Sequence, residues 1–157
     1  MPKHGILLAP GAGETVENPL GGPLTFKARG HETNGRMLAF ESTAAPGEGP
    51  PLHVHANEDE VVYALEGTFR FQLDGEVRDA PTGSFMFIPR GVAHTWQNVG
   101  DEPARLFVVF APAGMEAFFV RFSEHAGEAS PGEAFRRFGS EAGMDVVGPP
   151  LAQTDLP

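Results

Sequence analysis

The chain predicts an all-β fold, an antiparallel barrel or jelly roll followed by C-terminal helices. Three observations carry this. Apolar and polar residues alternate in short runs, as at Phe69, Phe71 and Leu73 against Arg70 and Gln72, and period two marks a half-buried strand. Turn signals separate the runs at Asn34-Gly35, Glu66-Gly67, Asp74-Gly75 and Pro81-Thr82-Gly83. Twenty Gly and fifteen Pro in 157 residues are too many for a helical bundle and suit short strands with many turns.

Residues 1–23 are rich in Gly and Pro and read as an arm with one short strand. Residues 24–29 and 36–43 are strands joined through Asn34-Gly35. Residues 47–51 form a loop. Strands follow at 52–56, 60–65, 68–73, 76–80, 84–88, 94–99 and 104–111. Close spacing of short strands argues for a closed antiparallel architecture. Phe118, Phe119 and Phe122 then give residues 115–124 an amphipathic helical spacing. Ser130-Pro131-Gly132-Glu133 is a capping box with Pro at the first helical position, so a helix runs from 131 to about 142 and stops at Gly143. Residues 144–157 read as a tail. The division is an arm (1–23), a barrel (24–113) and a helical extension with tail (114–157), all of one domain.

Composition narrows the function. The formal net charge is −10, and the eleven basic residues are scattered, so phosphate backbones are repelled and nucleic acid is not an expected partner. There is no Cys, which removes thiol nucleophiles, thiolate metal sites and disulfides. No apolar run could span a membrane or form a signal-peptide core. The expected location is the cytoplasm.

Two segments carry the chemistry. The first contains His53, His55 and Glu60 between Gly47 and Gly67; the second contains His94 between Pro89-Arg90-Gly91 and Asn98. Residues two apart in a strand point the same way, so His53 and His55 share a face and Val54 takes the other. Glu60 opens the next strand and can swing back toward them. His94 arrives from another strand after a forced turn. Three imidazoles and one carboxylate suit one divalent first-row transition metal, whether iron, manganese, nickel, cobalt, copper or zinc, and leave coordination positions open. A lone His-x-His often arises by chance; the flanking Gly and Pro make this constellation specific.

In these two segments the chain resembles the cupin superfamily. The first fits Gly, five residues, His-x-His, four residues, Glu, six residues, Gly; the second fits Gly, five residues, Pro-x-Gly, two residues, His, three residues, Asn. The resemblance implies a double-stranded β-helix barrel with His53, His55, Glu60 and His94 as metal ligands. Asn57-Glu58-Asp59-Glu60, Ala111-Pro112-Ala113-Gly114 and Gly148-Pro149-Pro150-Leu151 are further similar to small bacterial quercetin dioxygenase-like proteins. That likeness implies that Glu60 also acts as the catalytic base toward a substrate hydroxyl, with dioxygen as the co-substrate.

By strand parity Trp96 shares a face with His94, and Val62 and Ala64 share one with Glu60. These three are the candidate substrate contacts, suited to a small planar, aromatic or enolisable guest. Phe69, Phe71, Phe85 and Phe87 read as packing. The helix at 115–122 reads as the seal of a barrel end or of a subunit interface, with a lid over the metal as the alternative. Arg90 reads as a solvated turn residue, and His4, His31 and His125 as surface groups. Three functions remain open: an oxygen-using enzyme, a non-redox isomerase or decarboxylase, and a non-enzymatic small-molecule binder. Exposed sheet edges want cover, and a homodimer is expected.

Overall fold

The computed structural model describes residues 4–18, 22–125, 127–128 and 130–154. Its strands in chain order are β1 (Thr15–Asn18), β2 (Gly22–Ala28), β3 (Leu38–Ala44), β4 (Pro51–His55), β5 (Asp59–Glu66), β6 (Thr68–Leu73), β7 (Glu76–Pro81), β8 (Phe85–Ile88), β9 (His94–Asn98), β10 (Ala104–Ala111) and β11 (Met144–Pro150). Two helices, α1 (Glu116–Glu124) and α2 (Pro131–Glu141), lie between β10 and β11. The strands form two antiparallel sheets with orders β1-β2-β3-β10-β5-β8 and β11-β4-β9-β6-β7. This is the jelly-roll arrangement expected from the sequence.

Local chemistry explains the pairing. Along β10, Ala104, Leu106, Val108 and Phe110 are buried while Arg105, Phe107 and Val109 are less so, which is the period-two pattern of a strand with one face on the core. At the β6–β7 hairpin Leu73 opposes Glu76. Asp74 and Gly75 between them have φ of 52° and 80°, the left-handed pair that a two-residue hairpin turn needs. Phe69, Phe71, Leu106, Phe110 and Val62 fill the space between the sheets. Each such side chain contributes about 2 kcal/mol through burial.

The ends of the chain add strands to both sheets. The arm supplies β1. The stretch after residue 143, expected as a tail, is β11, and it pairs with β4 so that Met144 opposes His55 and Val146 opposes His53. Gly143 does stop α2, with φ of 79°, and Ser130 Oγ caps its start by accepting from Glu133 N at 3.3 Å. The strand that follows was hidden because its Gly and Pro residues read as a terminator.

β8 corrects a second expectation. Phe85 and Phe87 are 63% and 53% exposed and do not pack inside. All four β8 residues are apolar, so alternation alone does not say which face turns inward; Ile88 and Met86 take that side. Tyr63 opposes Phe85 on β5 and is also exposed, giving an apolar outer face. Among the described residues no helix is long and apolar enough to cross a membrane.

The helices position the site. α1 packs on β1 and α2 on β11, the two neighbouring edges of the sheets. Together they close that side of the sandwich. Phe118 and Phe122 are buried, and Phe119 lies 4.8 Å from the ring of Phe40.

Candidate metal centre

Four side chains meet between the sheets. His53 and His55 both point inward from β4, and His94 opposes His53 on β9. Glu60 comes from the other sheet, where it pairs with Phe110 and Ile88. One ligand atom from each of the four lies within 4.8 Å of the others, and all four residues are buried. Bringing donors from both sheets to one point requires the turn after β8. Gly91, at φ 84°, makes that turn possible, and its N–H donates to His55 O at 2.8 Å, so the loop bearing His94 is tied to the strand bearing the other imidazoles.

The imidazoles are aimed. His53 Nδ1 lies 2.7 Å from Pro51 O, and His94 Nδ1 lies 2.9 Å from Val92 O. A backbone carbonyl accepts only from an N–H, so each Nδ1 carries the proton and each Nε2 offers a lone pair to the centre. His94 Nε2 lies 2.8 Å from Glu60 Oε2, and His55 Nε2 lies 3.5 Å from the same oxygen. Both ring nitrogens of His55 are buried without a hydrogen-bond partner. Such orphaned atoms are rare in native interiors; a cation accounts for the Nε2 orphan. The donor set therefore fits one divalent transition metal held by His53, His55, Glu60 and His94.

Electrostatics favours the ligating form. Burial, then neighbouring His94 and His55, holds the His53 pKa well below 6.5. Burial lowers His55 to about 4, against the pull of Glu60. For His94 burial also opposes charge, but the Glu60 carboxylate outweighs it and raises the pKa. Two imidazoles are thus neutral, as metal binding requires.

These shifts predict a pH response of the metal-free protein. Between about pH 6.5 and 5 the unfolded chain protonates His53 and His55 while the folded chain does not. Stability therefore falls as the pH drops, by roughly 3 kcal/mol when His55 is followed to completion. His94 has the opposite sign: its contribution is complete below 6.5 and fades as pH rises through its raised pKa. Below 6.5 it is charged in both states and adds no slope. Urea denaturation of chelator-treated protein at pH 7 and pH 5 checks this; equal midpoints would contradict it.

The ligands open onto a narrow cavity of about 60 Å³. Its walls are Phe40, Leu106, Val108, Phe110 and Trp96 from the sheets, and its roof is Phe118, Phe119, Phe122 and Phe135 from the helices. The helix at 115–122 thus covers the cavity at the ligands, the alternative to the barrel-end or interface role that the sequence favoured. Trp96 lines the cavity as expected. Val62 and Ala64 do not: both are fully buried in the core, and their β10 partners Val108 and Leu106 line the cavity instead. Parity assigned the correct face, but β5 lies one strand further from the helical roof than β10. Among the described residues the lining contains no Lys or Arg. Its polar residues away from the ligands are Asn18 and Ser42, whose side chains bond at 3.0 Å.

Other groups have structural work. Asn98 Nδ2 donates to Ala44 O at 3.1 Å and Glu102 O at 2.8 Å. Arg90 is ion-paired with Asp59 at the surface. His125 pairs with Glu128 at 2.7 Å, and His4 and His31 are exposed. Glu58, Ser42 and Asn18 were not singled out by the sequence. Glu58 sits in a turn where no periodicity applies, and the other two come together only because β2 pairs with both β1 and β3.

Residues 40–110 match the cupin domain family. The chain is 37% identical over 67 residues to the polyketide synthase protein CurC of Streptomyces cyaneus, covering 43% of this chain and 44% of that one. It is 30% identical over 73 residues to quercetin 2,3-dioxygenase of Bacillus subtilis, covering 46% of this chain and 22% of that one. The chain spans about half the length of the first curated relatives it matches. Among solved structures, an RmlC-like cupin from Shewanella frigidimarina superposes with a TM-score of 0.59 at 22% identity, over 68% of this chain and 89% of that chain. That likeness concerns the fold.

Proposed function

The chain belongs to the cupin superfamily, and from that premise we propose that it is a metal-dependent dioxygenase-type enzyme acting on a small, neutral, enolisable or aromatic substrate. The observation that carries this reading is the buried three-histidine, one-glutamate cluster opening into an aromatic cavity. A bound first-row metal would supply a Lewis-acidic and redox-active centre there. The residues do the rest. Glu60 takes the proton from an enol or phenol hydroxyl. Trp96, Phe119 and Phe135 hold a flat guest and exclude water. Ser42, whose hydroxyl accepts from Asn18, is a polar group of the lining that can meet a substrate oxygen.

The relatives are consistent with this chemistry. Polyketides and quercetin are both oxygen-rich and enolisable. Among the described residues the lining has no cationic side chain, which disfavours phosphorylated or strongly acidic substrates. Size adds a constraint: at about 60 Å³ the cavity is below the range of roughly 300–1,000 Å³ typical of ligand sites. Entry of an aromatic substrate therefore requires the roof formed by α1 and α2 to move.

Oxygen consumption by protein loaded with iron, manganese, nickel, cobalt or copper, measured against flavonols, catechols and 1,3-diketones with an anaerobic control, tests the reading. Uptake with at least one pair is expected. No uptake by any pair would return the site to non-redox or binding roles. A second copy of the chain is the expected cover for the apolar face around Tyr63, Phe85 and Phe87, and light scattering at monomer mass would exclude it.

A further inference from the structure

A bound cation accounts for one of the three buried polar orphans near His55 and leaves two. These are His55 Nδ1 and Glu58 Oε2, and they face each other at 3.8 Å. The other two imidazoles are fixed through Nδ1 by backbone carbonyls. His55 has no such carbonyl; the acceptor nearest its Nδ1 is a carboxylate.

The position of Glu58 is costly unless it has a task. Its side chain is 4% exposed, and although backbone N–H groups bond the carboxylate, Oε2 is buried with no hydrogen-bond partner, which is unfavourable for a charged group. Arg90 spends its hydrogen bonds on Asp59 through both Nε and Nη2 and reaches Glu58 only as a through-space charge, so Oε2 stays unpaired. Charge balance supplies a reason. Among the described residues, the only buried carboxylates are Glu58 and Glu60. Two carboxylates with neutral imidazoles match the charge of one divalent cation.

We propose that Glu58 is a positioning residue of the metal centre: its carboxylate accepts the His55 Nδ1–H, fixes the tautomer that presents Nε2, and completes the neutral charge count. The inference rests on the metal reading above. Outer carboxylates of this kind make the ligand more basic and hold its ring plane. The separation of 3.8 Å would close to a hydrogen bond by a shift of roughly 1 Å of the His55 ring or the Glu58 carboxylate.

The test compares wild type with Glu58→Gln and Glu58→Ala. Co(II) affinity is measured by competition with a chromogenic chelator. The Cu(II)-loaded proteins are examined by electron spin-echo modulation, which reads the remote imidazole nitrogen. Glu58→Ala should weaken Co(II) binding about 10- to 100-fold and alter the remote-nitrogen signal of one imidazole. Glu58→Gln, nearly isosteric and able to accept, should fall between and serves if the alanine variant does not fold. A merely structural Glu58 would lower thermal stability and leave affinity and spectrum unchanged, which would overturn the proposal. Wild-type protein that binds no Co(II) would overturn the metal reading as well.

Discussion

His94→Ala will lose its metal. His94 is the ligand supplied by β9, and its Nε2 lies 2.8 Å from Glu60 Oε2. Truncation removes one of four donors and the partner that holds the Glu60 carboxylate in place. Removing an outer-shell partner already costs 10- to 100-fold in affinity, so loss of a ligand should exceed about 100-fold. The metal-free variant should also be less stable, because Glu60 is buried and its oxygen is left without that bond; breaking a buried pair costs about 3 kcal/mol. Elemental analysis after purification and dialysis, with circular dichroism to verify folding, decides the matter. Wild-type metal content in a folded His94→Ala protein would mean that the cation sits elsewhere.

Glu60→Gln has the second largest expected effect, and it separates holding the metal from moving a proton. The amide keeps an oxygen donor of the same reach but is a very weak base. Occupancy should fall modestly. Turnover per bound metal should fall by at least about 100-fold, the usual contribution of a positioned base. The comparison uses whichever substrate gives oxygen uptake with the wild type, normalised to measured metal. Equal turnover per metal would show that the proton leaves by another route and that Glu60 serves only as a ligand.

The cluster of His53, His55, Glu60 and His94 was legible in the sequence because its parts are local. His53 and His55 share a face by parity, the turn at Pro89 and Gly91 aims His94, and Asp74-Gly75 dictates its hairpin. The cavity was less legible because its walls are assembled from distant parts. Nothing within residues 115–124 says that Phe118 and Phe119 roof the histidines; that follows from α1 lying on β1. Val62 and Ala64 were assigned to the substrate because they share a strand with Glu60, yet the strand order puts β10 between β5 and β3. Phe85 and Phe87 failed differently: an unbroken apolar run has no polar residue to mark the outside. Glu58 was hidden in one acidic run with Asp59 and Glu60, and only the fold reveals that it is buried outside the four-residue cluster.

The origin of the four donors has a consequence for the life of the molecule. Three belong to one leaf of the sandwich and the fourth to the other, so an ion held there rivets the leaves together. At a free concentration a thousand times its dissociation constant it would add about 4 kcal/mol to the folding equilibrium. Starving a cell of trace metal would then do more than silence the protein: it would shorten its half-life, since the emptied form opens more often to proteases.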